Sequence, residues 1–205
     1  MRLIVISPEA EDARELAVLV ELFGAGLMHY HLRKPDWDRA QLAVWLRALP
    51  ASLHGRVVLH THHDLASEFA LGGLHDRDQP SRQVCHPIGD TLTSGLLRSR
   101  AVHALSSLRC SLNDYDRLLL SPVFPSLSKP GHGPSADFDW SELQSILDLP
   151  RRAEVIALGG IDVARVPACQ EFGFDGVAVL GAIWQADEPL RVFNQLQDVL
   201  HAHAA

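Results

Sequence analysis

Two glycines close the apolar run Ala157-Leu158-Gly159-Gly160-Ile161-Asp162, and a second run, Gly176 to Leu180, ends at Gly181. Glycine lets a backbone approach a ligand closely, and the N–H groups of such a loop can face an anion. Two consecutive units of this layout point to a phosphate cradle around Gly159, Gly160, Leu180 and Gly181. His60 and His62 alternate on an extended segment, so both can face one side, with His75 ending the neighbouring segment. Three imidazoles there would suit zinc and a metal-dependent hydrolase.

These residues need elements to hold them. Short β-branched runs predict strands at 3–7, 27–33, 57–61, 73–75, 100–103, 117–124, 154–160 and 176–180. Apolar residues at three- and four-residue spacing predict helices at 9–23, 36–49, 64–71, 105–112, 140–149, 163–172 and 189–201, with a weaker one at 92–97. In the first helix Leu16, Leu19, Val20 and Phe23 form the apolar face. Strand–helix alternation throughout predicts a parallel sheet with helical crossovers. Eight strands in a chain of this length fit a compact (β/α)8 TIM barrel, expected as a single domain over 1–205. The competing open doubly wound sheet lacks the GxGxxG of its dinucleotide-binding form. The 125–139 stretch is long for a βα loop, which suggests a functional loop over a site.

Composition narrows the partners. The chain has 205 residues, 47% of them hydrophobic and 21% charged, with a net charge of −7. The acidic balance disfavours a nucleic-acid or anionic-membrane surface, which needs excess Lys and Arg. Cys85, Cys110 and Cys169 lie far apart with no CxxC pair, as expected of thiols in a reducing compartment. The N-terminus shows no signal-peptide pattern and no run is long enough to span a membrane, so a cytoplasmic location is expected. Nothing in the sequence fixes an oligomeric state, and a homo-oligomer stays open.

Four segments in order resemble the thiamine phosphate synthase and thiazole tautomerase (TenI-like) superfamily. They are His31-Leu32-Arg33-Lys34, Ser121-Pro122-Val123-Phe124-Pro125-Ser126-Leu127-Ser128-Lys129, Leu158-Gly159-Gly160-Ile161, and the run from Gly173 to Leu180. The resemblance implies a thiamin-biosynthesis enzyme acting on a thiazole phosphate. Gly159, Gly160, Leu180 and Gly181 would hold the phosphate and Lys129 would reach it. Arg33 would bind the pyrophosphate of a pyrimidine partner or the carboxylate of a carboxythiazole. His31, Lys34 and Ser121 would complete the substrate-binding set, and His103 would be the acid–base residue.

The chain departs from the synthase pattern where magnesium is expected. His60 and Thr61 stand in place of an Asn-Asp pair, and His31 in place of a Gln. After the fourth strand, Asp76 or Asp78 is left to supply the metal carboxylate. Magnesium prefers hard oxygen donors. Two activities follow: Mg-dependent coupling of the thiazole to hydroxymethylpyrimidine pyrophosphate, or cofactor-free aromatisation of a thiazole tautomer, which the missing ligands favour. A non-catalytic barrel that binds thiazole phosphate or thiamine phosphate is the alternative.

Overall fold

The computed structural model describes residues 1–78, 95–125, 133–135 and 138–202. Eight parallel strands close into a barrel in chain order: β1 (Arg2–Ile6), β2 (His29–Leu32), β3 (Val57–Leu59), β4 (Gly73–Asp76), β5 (Leu97–Val102), β6 (Arg117–Leu120), β7 (Glu154–Leu158) and β8 (Gly176–Val179). The ring shuts where β1 pairs with β8, Ile4 opposite Ala178. Around it run α1 (Glu15–Gly24), α2 (Arg39–Ala48), α3 (Leu65–Glu68), α4 (Leu105–Ser111), α5 (Trp140–Leu147), α6 (Val166–Phe172), α7 (Gly181–Trp184) and α8 (Pro189–Ala202). Among the described residues no helix is long and apolar enough to cross a membrane.

Alternation along each strand divides the side chains into two cores. Outward residues such as Val5, Tyr30, Leu32, Val57, Leu118 and Val177 pack beneath the helices in the larger core. Inward residues Ile4, Ile6, Leu119, Ile156 and Ala178 form a smaller apolar cluster inside the barrel. That cluster belongs to β1, β6, β7 and β8. The opposite half of the interior is polar: His31, His60, His75 and Ser99 are all buried.

Several element boundaries differ from expectation for local chemical reasons. The first helix begins at Glu15 rather than at residue 9, and the carbonyls of Pro8 and Ala10 accept from the Lys34 ammonium at 2.7 and 3.0 Å. Its buried face is Glu15, Leu19, Leu22 and Phe23, whereas Val20 is exposed. The second helix starts at Arg39 because Asp38 caps it, accepting from Gln41 N while Gln41 Oε1 accepts from Asp38 N. β5 begins at Leu97, so the end of the weak 92–97 helix is strand; positions 92–94 lie outside the described residues. β6 stops at Leu120, before the cis Ser121–Pro122 bond. Cys169 is a buried thiol, its pKa pushed up to about 12 by burial, while Cys85 lies outside the described residues.

Candidate active site

Strand register sets the first cluster. His31 stands level with Val58 of β3, and Val58 level with Gly73 of β4. His60 and His75 each lie two residues further on, one layer nearer the C-terminal mouth on the same inner face. The His60 and His75 rings stack at 4.0 Å, and His31 meets them edge-on at 5.2 and 5.4 Å. His31 Nδ1 lies 3.0 Å from His60 Nε2. His75 Nδ1 lies 2.9 Å from Ser99 Oγ, which also lies 3.2 Å from the Leu74 carbonyl. The serine has one proton and the carbonyl can only accept it. Ser99 Oγ therefore accepts from His75 Nδ1–H, leaving His75 Nε2 with a bare lone pair.

Burial holds all three imidazoles neutral. It drives His31 and His60 well below the usual histidine range, helped for each by His75, and lowers His75 to about 3. His62, expected to share this face, is exposed at φ +50° and stands apart from the cluster. His31, expected as a substrate ligand, joins it instead.

The second group follows the mouth to β5 and β6. His103 is exposed just beyond β5. Its Nδ1 lies 2.8 Å from the Ser121 main-chain oxygen and 3.2 Å from Ser121 Oγ. Since a carbonyl can only accept, Nδ1 carries the proton and Nε2 is the basic nitrogen. The His103 backbone N–H donates to Asp78 at 3.1 Å.

The glycine turns pack under the β6 loop. Val123 N donates to Leu158 O and Phe124 N to Gly159 O, continuing the β6–β7 ladder past the strand ends. Gly159 and Gly160 have φ of +95° and +65°. A Cβ on Gly160 would lie 2.3 Å from Pro125 O, and one on Gly159 would lie 2.9 Å from Pro122 Cα. Both positions therefore require glycine on two counts. Arg165 donates to Gly160 O and sits over the Phe124 ring at 5.6 Å. Leu180 and Gly181 open α7, whose Trp184 donates its indole N–H to Ile6 O at 2.7 Å, tying this turn to the end of β1.

The charged residues are placed less simply. Arg33 is half-exposed at the mouth, paired with Glu9 at 2.5 Å, and its backbone is pinned by Ser7 Oγ. Lys34 is not at the mouth. It is fully buried, and its ammonium donates to Glu15 at 2.6 Å as well as to Pro8 O and Ala10 O. Those bonds use all three ammonium donors, so none is left for a substrate. Tyr30 OH donates to the other Glu15 oxygen at 2.7 Å. Burial pushes the Glu15 carboxyl up, against the opposing pull of Lys34 and Tyr30. Lys129 lies outside the described residues.

Asp76 and Asp78 are held by guanidinium groups: Asp76 with Arg98 at 2.6 Å and Asp78 with Arg100 at 3.0 Å. Arg98 and Arg100 alternate with inward Ser99, and Asp76 alternates with inward His75, so the Asp76 pair lies on the outer face of the sheet. Sequence reasoning missed both arginines, Ser99 and Glu15. Period-two alternation on β5, read from 97 rather than 100, would have found the first three.

Comparison with known proteins gives one family. The model described as thiamine monophosphate synthase matches residues 3–183. A thiamine-phosphate synthase of Laribacter hongkongensis is 30% identical over 188 residues, covering 89% of this chain and 84% of the relative. One from Haemophilus influenzae is 28% identical over 143 residues, covering 69% of this chain but only 62% of the relative's length. Among solved structures, a thiamine phosphate pyrophosphorylase from Bacteroides thetaiotaomicron superposes with a TM-score of 0.77 at 24% identity, covering 99% of each chain. That last likeness is one of fold.

Proposed function

The chain belongs to the thiamine monophosphate synthase family, and from that membership we propose that it acts on a thiazole phosphate, aromatising its exocyclic tautomer by proton transfer at His103. The single observation that carries this reading is the His103–Ser121 contact, which leaves Nε2 exposed as the base. Aromatisation removes one proton from carbon and places another on carbon, with no net change in protons or electrons. His103 Nε2 accepts the first proton, and the resulting imidazolium supplies the second. The Gly159–Gly160 turn and the Leu180–Gly181 turn hold the phosphate through backbone N–H groups, with Lys129 as a further cation. Arg33 takes a carboxylate on the ring. Ser121 positions His103 through its carbonyl.

Magnesium, which the family resemblance brings with it, does not fit the donors present. His60 and Thr61 occupy the third-strand position, and imidazole nitrogen is a poor ligand for a hard cation. Asp76 and Asp78 are already neutralised by Arg98 and Arg100. The names of the relatives favour a second reading, coupling of the thiazole to a pyrimidine methyl pyrophosphate. The two part in one experiment. Pure protein receives the thiazole tautomer alone, or aromatic thiazole phosphate with hydroxymethylpyrimidine pyrophosphate and Mg²⁺. Aromatisation without Mg²⁺ supports the first reading. Thiamine phosphate formed only with Mg²⁺ supports the second, and binding without turnover of either would leave a carrier barrel.

A further inference from the structure

The buried histidine cluster is not used by the proton transfer at His103, and its chemistry points elsewhere. His31, His60 and His75 each offer one ring nitrogen, and these nitrogens all lie within 4.8 Å of one another. We propose that His31, His60 and His75 form a binding site for one borderline-soft divalent cation, of the zinc class, inside the polar half of the barrel.

Four observations support the site. Ligand nitrogens on a tetrahedral zinc stand about 3.3 Å apart, given Zn–N bonds of about 2.0–2.1 Å. The His31–His60 pair at 3.0 Å is close to that already, and all three candidate nitrogens lie within 4.8 Å of one another. Next, the 3.0 Å contact brings together two neutral ring nitrogens that can share only one proton, so one lone pair faces into the cluster. Third, His75 has the outer partner that a ligating histidine needs: Ser99 accepts its Nδ1–H, so Nε2 is fixed as the donor atom. Finally, His31 Nε2, Thr61 Oγ1 and His63 Nε2 are buried with no hydrogen-bond partner among the described residues, so this polar half of the barrel leaves groups that a ligand shell or ordered water would satisfy. Orphaned buried polar atoms are uncommon and call for a ligand or ordered water.

The donor set selects the ion. Three neutral imidazoles suit zinc, cobalt or nickel and not magnesium or calcium. Three protein ligands leave a fourth position open.

The test reads metal content, not turnover, so it stands apart from the fate of the His103 reading. Chelator-stripped, full-length protein is dialysed against Zn²⁺ or Co²⁺ with Mg²⁺ in excess. Bound metal is measured by mass spectrometry, and the Co²⁺ form by its visible spectrum. The expected result is about one ion per chain and intense d–d bands of a four-coordinate cobalt. Both are lost in His60→Ala and His75→Ala and kept in His62→Ala and His201→Ala. Where a histidine variant does not fold, Ser99→Ala serves instead, with affinity expected to fall about 10–100-fold. No bound metal in the wild-type protein would overturn the proposal. So would undiminished binding in the His60 and Ser99 variants, or octahedral cobalt spectra unchanged by His75→Ala.

Discussion

His103 Nδ1 lies 2.8 Å from the main-chain oxygen of Ser121, and this contact decides which nitrogen of the ring is free to work. The two residues directly follow the neighbouring strands β5 and β6, and Ser121 N also donates to Val102 O. The acceptor is backbone, so no substitution of the Ser121 side chain removes it. Replacing His103 with Asn should lower turnover of the thiazole tautomer by about 10²–10⁴-fold. The side chain is exposed, so the melting temperature should barely move. Ser121→Ala, which keeps the carbonyl, should leave most of the rate. Steady-state kinetics on the three proteins would check this.

Lys34 gives a stability prediction, not a catalytic one. Its ammonium and Glu15 are both buried and 2.6 Å apart. Lys34→Met strands a buried carboxylate and should cost about 3–5 kcal/mol, read as a shift in the urea midpoint. The double change Lys34→Met with Glu15→Gln should recover much of that loss. Substrate affinity of whatever folds should be little altered, whereas Arg33→Ala should weaken it.

The histidine cluster predicts an acid-labile fold. His31, His60 and His75 bind a proton in the unfolded chain below about pH 6.5 but stay neutral in the folded protein down to far lower pH, His75 to about 3. The unfolded state therefore holds more protons in that window, and stability rises with pH across it. It is fully present above the unfolded value and is lost as pH falls toward the folded one, by up to about 1.4 kcal/mol per pH unit for each imidazole. His29, lowered to about 4 chiefly by burial, adds to the same slope. Urea melts between pH 7.5 and 5 should show the fall, and His75→Asn should reduce the slope by about one proton.

Gly160 tests the phosphate cradle. Its φ of +65° and the nearness of Pro125 O leave no room for a methyl group. Gly160→Ala should cost more than about 1 kcal/mol and displace the loop beyond β6. Calorimetric affinity for inorganic phosphate or thiazole phosphate should weaken more than for Gly24→Ala, where a Cβ meets nothing within 4 Å.

Much of this molecule was legible in its sequence, and the parts that were not share a cause. β-Branched runs located the strands, and the glycine pair marked the left-handed turn after β7, because those signals are local. Residues 9–14 are not helical because Lys34, more than twenty residues on, takes the Pro8 and Ala10 carbonyls that a longer helix would need. Lys34 looked like a substrate clamp because its buried partner Glu15 lies on another element. His31 was assigned to substrate and His62 to the metal cluster. Only the register of β2 against β3 and the left-handed turn at His62 reverse them. Asp76 looked like a metal ligand until its alternation with His75 placed it outside the barrel.

The most direct test of the central claim follows the thiazole tautomer by proton NMR with pure protein and no added Mg²⁺, comparing wild type with His103→Asn. Wild type should convert the tautomer catalytically to the aromatic thiazole, unchanged when Mg²⁺ is supplied, with a loss of about 10²–10⁴-fold in the variant. Absence of conversion by wild type, or a rate that His103→Asn leaves untouched, would contradict it.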